Sequence, residues 1–282
     1  MWRAIRWTLP AGHRGVTVAG LTVIAGLMLL AALAPHVVPG SPTEIAKDHA
    51  LRGPTWDQPF GMDDLGRSIL SRVAHAYRVS LGVAMASVAL ALLVGLPLGL
   101  VAGYAEGALD QLIMRPLDVL MAFPAILLAI ALMSVFGTGV VLVAASLAVV
   151  YTPIVARVVR AAVLAVKAEI YVDGARALGA PARRLVLRHI LPNAATPVLV
   201  QASVLMAIAI LVEASLSFLG VGVRPPTPSL GLMLADGRGF MVQAPWMVIF
   251  PGLAIMAAVL GFNMVADGLR DWLDPQQAAG RS

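Results

Sequence analysis

Apolar and polar positions in this chain fall into long blocks rather than short alternations. Residues 16–34 form one apolar run, and 80–102, 116–136, 140–157, 194–219 and 245–267 form five more. A bilayer core of about 30 Å needs roughly 20 helical residues, so each run predicts one membrane span. The polar stretch 35–79 separates the first two. Its opening half carries Pro35, Pro39, Pro42 and Pro54 and reads as loop. From Asp63 or Asp64, either of which can cap a helix, the apolar stripe Leu65, Ile69, Leu70, Val73 and Tyr77 predicts a helix over 63–77. It is expected to lie along the membrane surface, or to be an ordinary surface helix. Pro97, Pro124, Pro153, Pro197 and Pro251 fall inside the later spans, one in each. Membrane helices tolerate proline where neighbours satisfy the freed carbonyl.

Two polar segments have internal grammar. In 158–193, helix formers run from Glu169 to Leu178 and Gly179 follows at a helix C-terminus. Pro181 sits at the first position of a second helix, which is expected to reach Ile190 and to end at Pro192. Ala180, before a proline, is pushed out of the α region. Two short helices at a fixed angle suit a mechanical contact; a solvated basic loop that only sets topology is the plainer reading. In 220–244, Pro225, Pro226 and Pro228 stiffen the chain, and Ser229 is placed to cap a short helix containing Leu230, Leu232, Met233 and Leu234. That helix is too apolar for a free loop. It is expected to tuck against the bundle mouth, as part of an outer gate or by simple packing.

Composition agrees with the blocks. The chain has 282 residues, 60% hydrophobic and 12% charged, and a mean hydropathy of +0.88. That excludes an ordinary soluble domain. The net charge of +5 does not point to nucleic acid, because the basic residues flank apolar spans, where anionic lipid and topology explain them. Most lie in segments 1–15, 103–115, 157–193 and beyond Asp267, so those are expected to face the cytoplasm, with both termini. Arg67, Arg72 and Arg78 argue the other way, but from a long loop that counts for less. The apolar run 16–34 is longer than a signal-peptide core and is expected to be a retained span. Cysteine is absent, which removes disulfide and thiol chemistry.

No catalytic constellation is visible. The chain has no GxxxxGK[ST] phosphate loop, no HExxH and no GxSxG, and its histidines (His13, His36, His49, His75, His189) lack metal-ligand spacing. No cofactor or metal is therefore expected on this chain, nor an enzyme activity. Glu213 is the one carboxylate well inside an expected span; such a group lines a path or bonds a neighbouring turn, here near Ser217–Gly220. Gln201 and Asn263 are weaker candidates, for the path or for hydrogen bonds between helices.

Three motifs carry a resemblance. The run D-G-A-R-A-L-G, nine residues, then H-I-L-P resembles the coupling loop of ABC importer permeases, with Asp173, Gly174 and His189 departing from the usual Glu, Ala and Ile. Q-P-F-G-M-D-D-L-G-R (58–67) and P-P-T-P-S-L-G-L-M-L (225–234) flank it, and L-V-E-A-S-L-S-F-L-G-V-G-V is also similar. Together they resemble the C-type permease of bacterial dipeptide, oligopeptide and nickel importers, over nearly the whole chain to the W-L-D-P tail. The resemblance implies an all-α, six-span type I importer fold with a cytoplasmic coupling helix, in the bacterial inner membrane. It implies a homologous B-type permease, two ATPase subunits that hold ATP and Mg, and an extracytoplasmic delivery protein. Asp173, Gly174, Ala175, Arg176, Leu178, Gly179 and Pro192 would then meet the ATPase; Pro228, Ser229, Leu230 and Met233 of the outer loop stay candidates for a gate, a seat for the delivery protein, or simple packing. Peptide is the expected substrate; nickel or another small solute is the alternative. A secondary transporter needs more ionisable groups in its spans than Glu213 supplies, and an intramembrane enzyme needs paired catalytic groups.

Overall fold

The computed structural model describes residues 11–38 and 41–273; most of the expected cytoplasmic N-terminal segment and the tail beyond 273 lie outside the described residues. Ten α-helices follow in order: α1 Ala11–Val37, α2 Ile69–Ala105, α3 Gly107–Met121, α4 Ala125–Phe136, α5 Val140–Lys167, α6 Ile170–Ala177, α7 Ala182–Arg184, α8 Leu191–Phe218, α9 Leu230–Gly237 and α10 Trp246–Leu273. The described residues contain no β-strand, only one isolated bridge between Met62 and Ser68.

The centre of the bundle is the α2–α5 pair, and its seam is written in glycine. Gly95, Gly99 and Gly103 recur every four residues along one face of α2. An added Cβ at Gly99 would stand 2.4 Å from the Ala156 carbonyl oxygen, and at Gly95 and Gly103 2.9 Å from those of Thr152 and Arg160. Without a hydrophobic drive between helices in lipid, such close backbone approach is what holds them. Partner positions rise together on both helices, so α2 and α5 run parallel. Their C-termini meet: Lys167 Nζ donates to the Tyr104 carbonyl and to Glu106, both at 2.7 Å.

That parallel pairing settles the number of crossings. Five helices are long and apolar enough to span. Residues 107–139 must carry the chain from the end of α2 back to the start of α5, across the bilayer. Neither α3 nor α4 reaches 30 Å alone at 1.5 Å per residue, so together they form the sixth crossing. The expected straight span over 116–136 is therefore a broken one, bent by 92° between Met121 and Ala125. Pro124 is the reason. It sits at the N-cap of α4 rather than inside a helix, lacks a donor, and forces Phe123 out of the helical region.

Three further expectations change. The surface helix over 63–77 does not form. α2 begins at Ile69 and runs unbroken into the membrane, because Ile69, Val73 and Tyr77 are buried against protein rather than lipid. Tyr77 Oη donates to the Ala254 carbonyl of α10 at 2.8 Å. Its cap is Ser68, which accepts from Ser71 N, and neither Asp63 nor Asp64. The fourth span does not stop at 157: α5 continues to Lys167, where Arg157, Arg160 and Lys167 pair with Asp118, Asp110 and Glu106 of the neighbouring crossing. Pro192 ends nothing. It lies in the first turn of α8, directly after a π-helical turn, Leu185–Ile190. The wide turn bonds Leu191 N to Val186 O, so no helical donor is demanded of Pro192 and its ring escapes the carbonyl one turn back.

α1 packs antiparallel on α10, with Gly20 against Met264 and Gly268 against Thr17. The start of α1 and the end of α10 thus lie on one side of the bundle.

Candidate functional site: an elbow and a cap

The elbow is α6, its break and the turn into α8. Ala180 N donates to Ala175 O (3.1 Å) and Gly179 N to Arg176 O (3.0 Å). This is the Schellman pattern, which needs a left-handed residue at Gly179, and its φ is +76°. Pro181 stands outside α7 as its N-cap, one position earlier than the sequence suggested. Asp173 and Arg176 pair at 2.9 Å on an exposed face. Gly174 has nothing within 4 Å of a would-be Cβ, so no packing reason for a glycine exists there. Val172 alone of α6 is buried. Ile170 and Leu178 are 88% and 90% exposed, and Tyr171 is half exposed. In the second arm Leu185 and Ile190 are buried, while Arg183, Arg184 and Arg188 are exposed. Asp173, Gly174, Ala175, Arg176, Leu178 and Gly179 therefore share one small projection. Pro192 stands apart, at the root of α8.

The cap joins the loop before α2 to α9. Asp63 organises it. Its Oδ1 accepts from Leu65 N (2.9 Å) and Arg67 N (2.8 Å), and its Oδ2 accepts from Arg67 Nε (2.6 Å) and Arg72 Nη1 (2.5 Å). Arg72 also donates to Asp236 of α9 at 3.0 Å. The Q-P-F-G-M-D-D-L-G-R run is thus a knot around one buried carboxylate. A Cβ on Gly66 would lie 1.9 Å from the Ala46 oxygen, so only glycine closes it. Trp246 Nε1 donates to Met62 O (3.0 Å), and the Phe60 ring stacks on Phe250, which seats the knot on α10. Asp64 is less well served: its Oδ1 is buried without a hydrogen-bond partner. Desolvation first, then the nearby carboxylates of Asp63 and Asp236, hold its carboxyl above the usual range despite Arg67.

Ser229 caps α9 by accepting from Leu232 N at 3.2 Å, and Leu230 and Met233 are buried, so α9 does tuck back. Pro228 is buried beside it. Glu213, fully buried on α8, meets the same corner. Gln201, half-buried, lies about 18 Å further down α8 at 1.5 Å per residue. Asn263 is exposed on α10. These three do not converge on one path within the chain. What sequence reasoning missed is the glycine seam, which a four-residue spacing could have revealed, and the partners of Glu213, which no local signal announces.

Comparison with known proteins fits this geometry. Residues 95–278 match the family model described as binding-protein-dependent transport system inner membrane component. The chain is 42% identical over 261 residues to the dipeptide transport system permease protein DppC of Alkalihalophilus pseudofirmus, covering 93% of this chain and 86% of the relative. It is 41% identical over 276 residues to the glutathione transport system permease protein GsiD of Pectobacterium atrosepticum, covering 98% and 91%. In fold it is similar to a chain of the MetNI methionine ABC transporter in an inward-facing conformation, with TM-score 0.55 and 18% identity over 69% of this chain and 94% of that one. The chain belongs to the family of binding-protein-dependent transport system inner membrane components and is a permease subunit of an ABC importer.

Proposed function

We propose that this permease forms half of the translocation path of a peptide importer and that its elbow is the seat of a cytoplasmic ATPase. The observation that carries the reading is the elbow's surface. Ile170 and Leu178 are almost wholly exposed at the two ends of a helix that closes in a Schellman turn and buries Val172 against the bundle. Fully burying such a side chain is worth about 1.5–3 kcal/mol, and an apolar projection beside a basic, membrane-flanking segment suits a protein partner. ATP and Mg would sit on that partner, and this chain would carry no catalysis of its own. A homologous permease completes the pore, facing the exposed apolar sides of α3 and α4, and an extracytoplasmic delivery protein meets the cap. The elbow and both chain ends lie in the cytoplasm by the distribution of Arg and Lys.

Peptide is favoured because dipeptide and di/tripeptide permeases stand among the similar proteins. Glutathione, carried by others, is the second reading, and nickel chelates a third. The test is uptake into vesicles holding the whole importer and its delivery protein. ATP-dependent accumulation of labelled dipeptides supports the reading. Accumulation of glutathione or nickel alone moves the substrate, and uptake by this chain without ATPases overturns the importer role.

A further inference from the structure

Glu213 has two hydroxyl donors, one from α2 and one from α8, and a purpose that the transport role does not by itself supply. Its Oε2 accepts from Ser80 Oγ of α2 at 2.7 Å, and its Oε1 accepts from Ser217 Oγ of its own helix at 2.8 Å. The Ser229 hydroxyl, the fully buried cap of α9, stands beside the same carboxylate, with the α9 backbone at Gly231 close against Ala214. Ser217 Oγ also accepts from Val223 N at 3.1 Å, which fixes the turn between α8 and the outer segment. One carboxylate thus joins α2 to α8, beside the start of α9.

The other end of α9 is held to the same helix. Asp236 accepts from Arg72, which lies two turns before Ser80 on α2. Eight residues separate Arg72 from Ser80 and seven separate Ser229 from Asp236. At 1.5 Å per residue these are closely similar lengths, so α9 is tied to α2 at Asp236 and its start lies beside the Ser80–Glu213 bond. Its glycines seat it closely on α8 and α10. A Cβ on Gly231 would stand 2.0 Å from the Ala214 oxygen, and one on Gly237 3.0 Å from Met247. From α2 the glycine seam leads to α5, whose C-terminus turns at Ala168 and Glu169 into the elbow.

We propose that Glu213 is a positioning residue that holds α8 to α2 beneath the start of α9, so that docking of the delivery protein on the cap is transmitted through the α2–α5 pair to the elbow. The inference rests on the importer reading. It assigns Glu213 a role in coupling rather than in contact with the transported solute. Buried polar networks of this kind hold two elements in one arrangement, because each unpaired group is costly.

The experiment uses the complete importer in lipid nanodiscs with its delivery protein. Glu213→Ala, Ser229→Ala and Ser229→Thr are compared for yield of assembled complex, basal ATP hydrolysis and stimulation by the delivery protein. The two alanine variants are expected to assemble and keep basal hydrolysis. They should lose stimulation by at least about fivefold, the lower range of coupling between sites. Ser229→Thr, which keeps the hydroxyl, should restore it. If Glu213→Ala fails to assemble, Ser229→Ala carries the same comparison with one hydroxyl removed. Equal loss of basal and stimulated rates per assembled complex, or wild-type stimulation in both alanine variants, overturns the proposal. Absence of stimulation in the wild-type complex would instead overturn the importer reading.

Discussion

The cap and the elbow are both read from the sequence as motifs of one family, yet they are built in opposite ways. In the cap the polar groups are answered within the chain, Asp64 Oδ1 excepted. Asp63 alone receives four hydrogen bonds and two guanidinium groups, and the apolar residues Leu230 and Met233 face inward. In the elbow the apolar residues Ile170 and Leu178 face outward, Arg183, Arg184 and Arg188 are exposed, and the visible ordering is a Schellman turn. A closed motif needs its residues to hold its own shape. An open one needs them for a surface that another molecule completes. The two should therefore fail differently when altered.

The largest effect is expected at the open end. Ile170→Ser together with Leu178→Ser should leave the bundle's melting within about 0.5 kcal/mol, as exposed substitutions do. Association with the ATPase should fall steeply, each residue contributing about 1.5–3 kcal/mol if the partner buries it. Co-purification and melting in detergent, measured on one preparation, separate the two effects. The closed end should answer in reverse. Asp63→Ala strands Arg72 and Arg67 in a buried site, and breaking a buried pair costs about 3–5 kcal/mol. Its melting temperature should drop sharply; an unchanged one would mean the knot is held by other contacts.

Gly179→Val tests the hinge of the elbow. A β-branched residue at φ +76° carries about 1–2 kcal/mol of strain. Insertion and bundle melting should be unaffected while uptake falls, and normal uptake would refute the role of the break. The smallest effect belongs to Asp64, whose pKa is raised in the fold. A carboxyl with a raised folded pKa adds stability below its unfolded pKa and loses it as pH rises through the folded value. At neutral pH the ionised group is therefore a burden. Asp64→Asn should raise the melting temperature slightly at pH 7, and the gain should vanish towards pH 4.

The parts of the molecule legible beforehand are those with local causes. A glycine followed two residues later by proline announced the break after Leu178, and Ser229 ahead of an apolar run announced the α9 cap. Where the deciding partner is distant, the pattern alone was insufficient. The stripe Ile69, Val73, Tyr77 looks the same whether lipid or α10 covers it, and the real answer is α10. Pro124 inside an apolar run looked like a tolerated kink, but it breaks the crossing at 92°. Pro192 looked like a terminator because a π turn is invisible in the sequence. Ser80 and Glu213, 133 residues apart, had no reason to be paired in advance.

The most direct measurement is protection of position 178. The chain has no cysteine, so Leu178→Cys places a single thiol on the elbow. In inside-out vesicles carrying the whole importer, a membrane-impermeant maleimide should label it poorly, and stripping the ATPases should make it label fully. Equal labelling with and without the ATPases, or labelling only from the opposite face of the membrane, would contradict the assignment of the elbow as the docking surface.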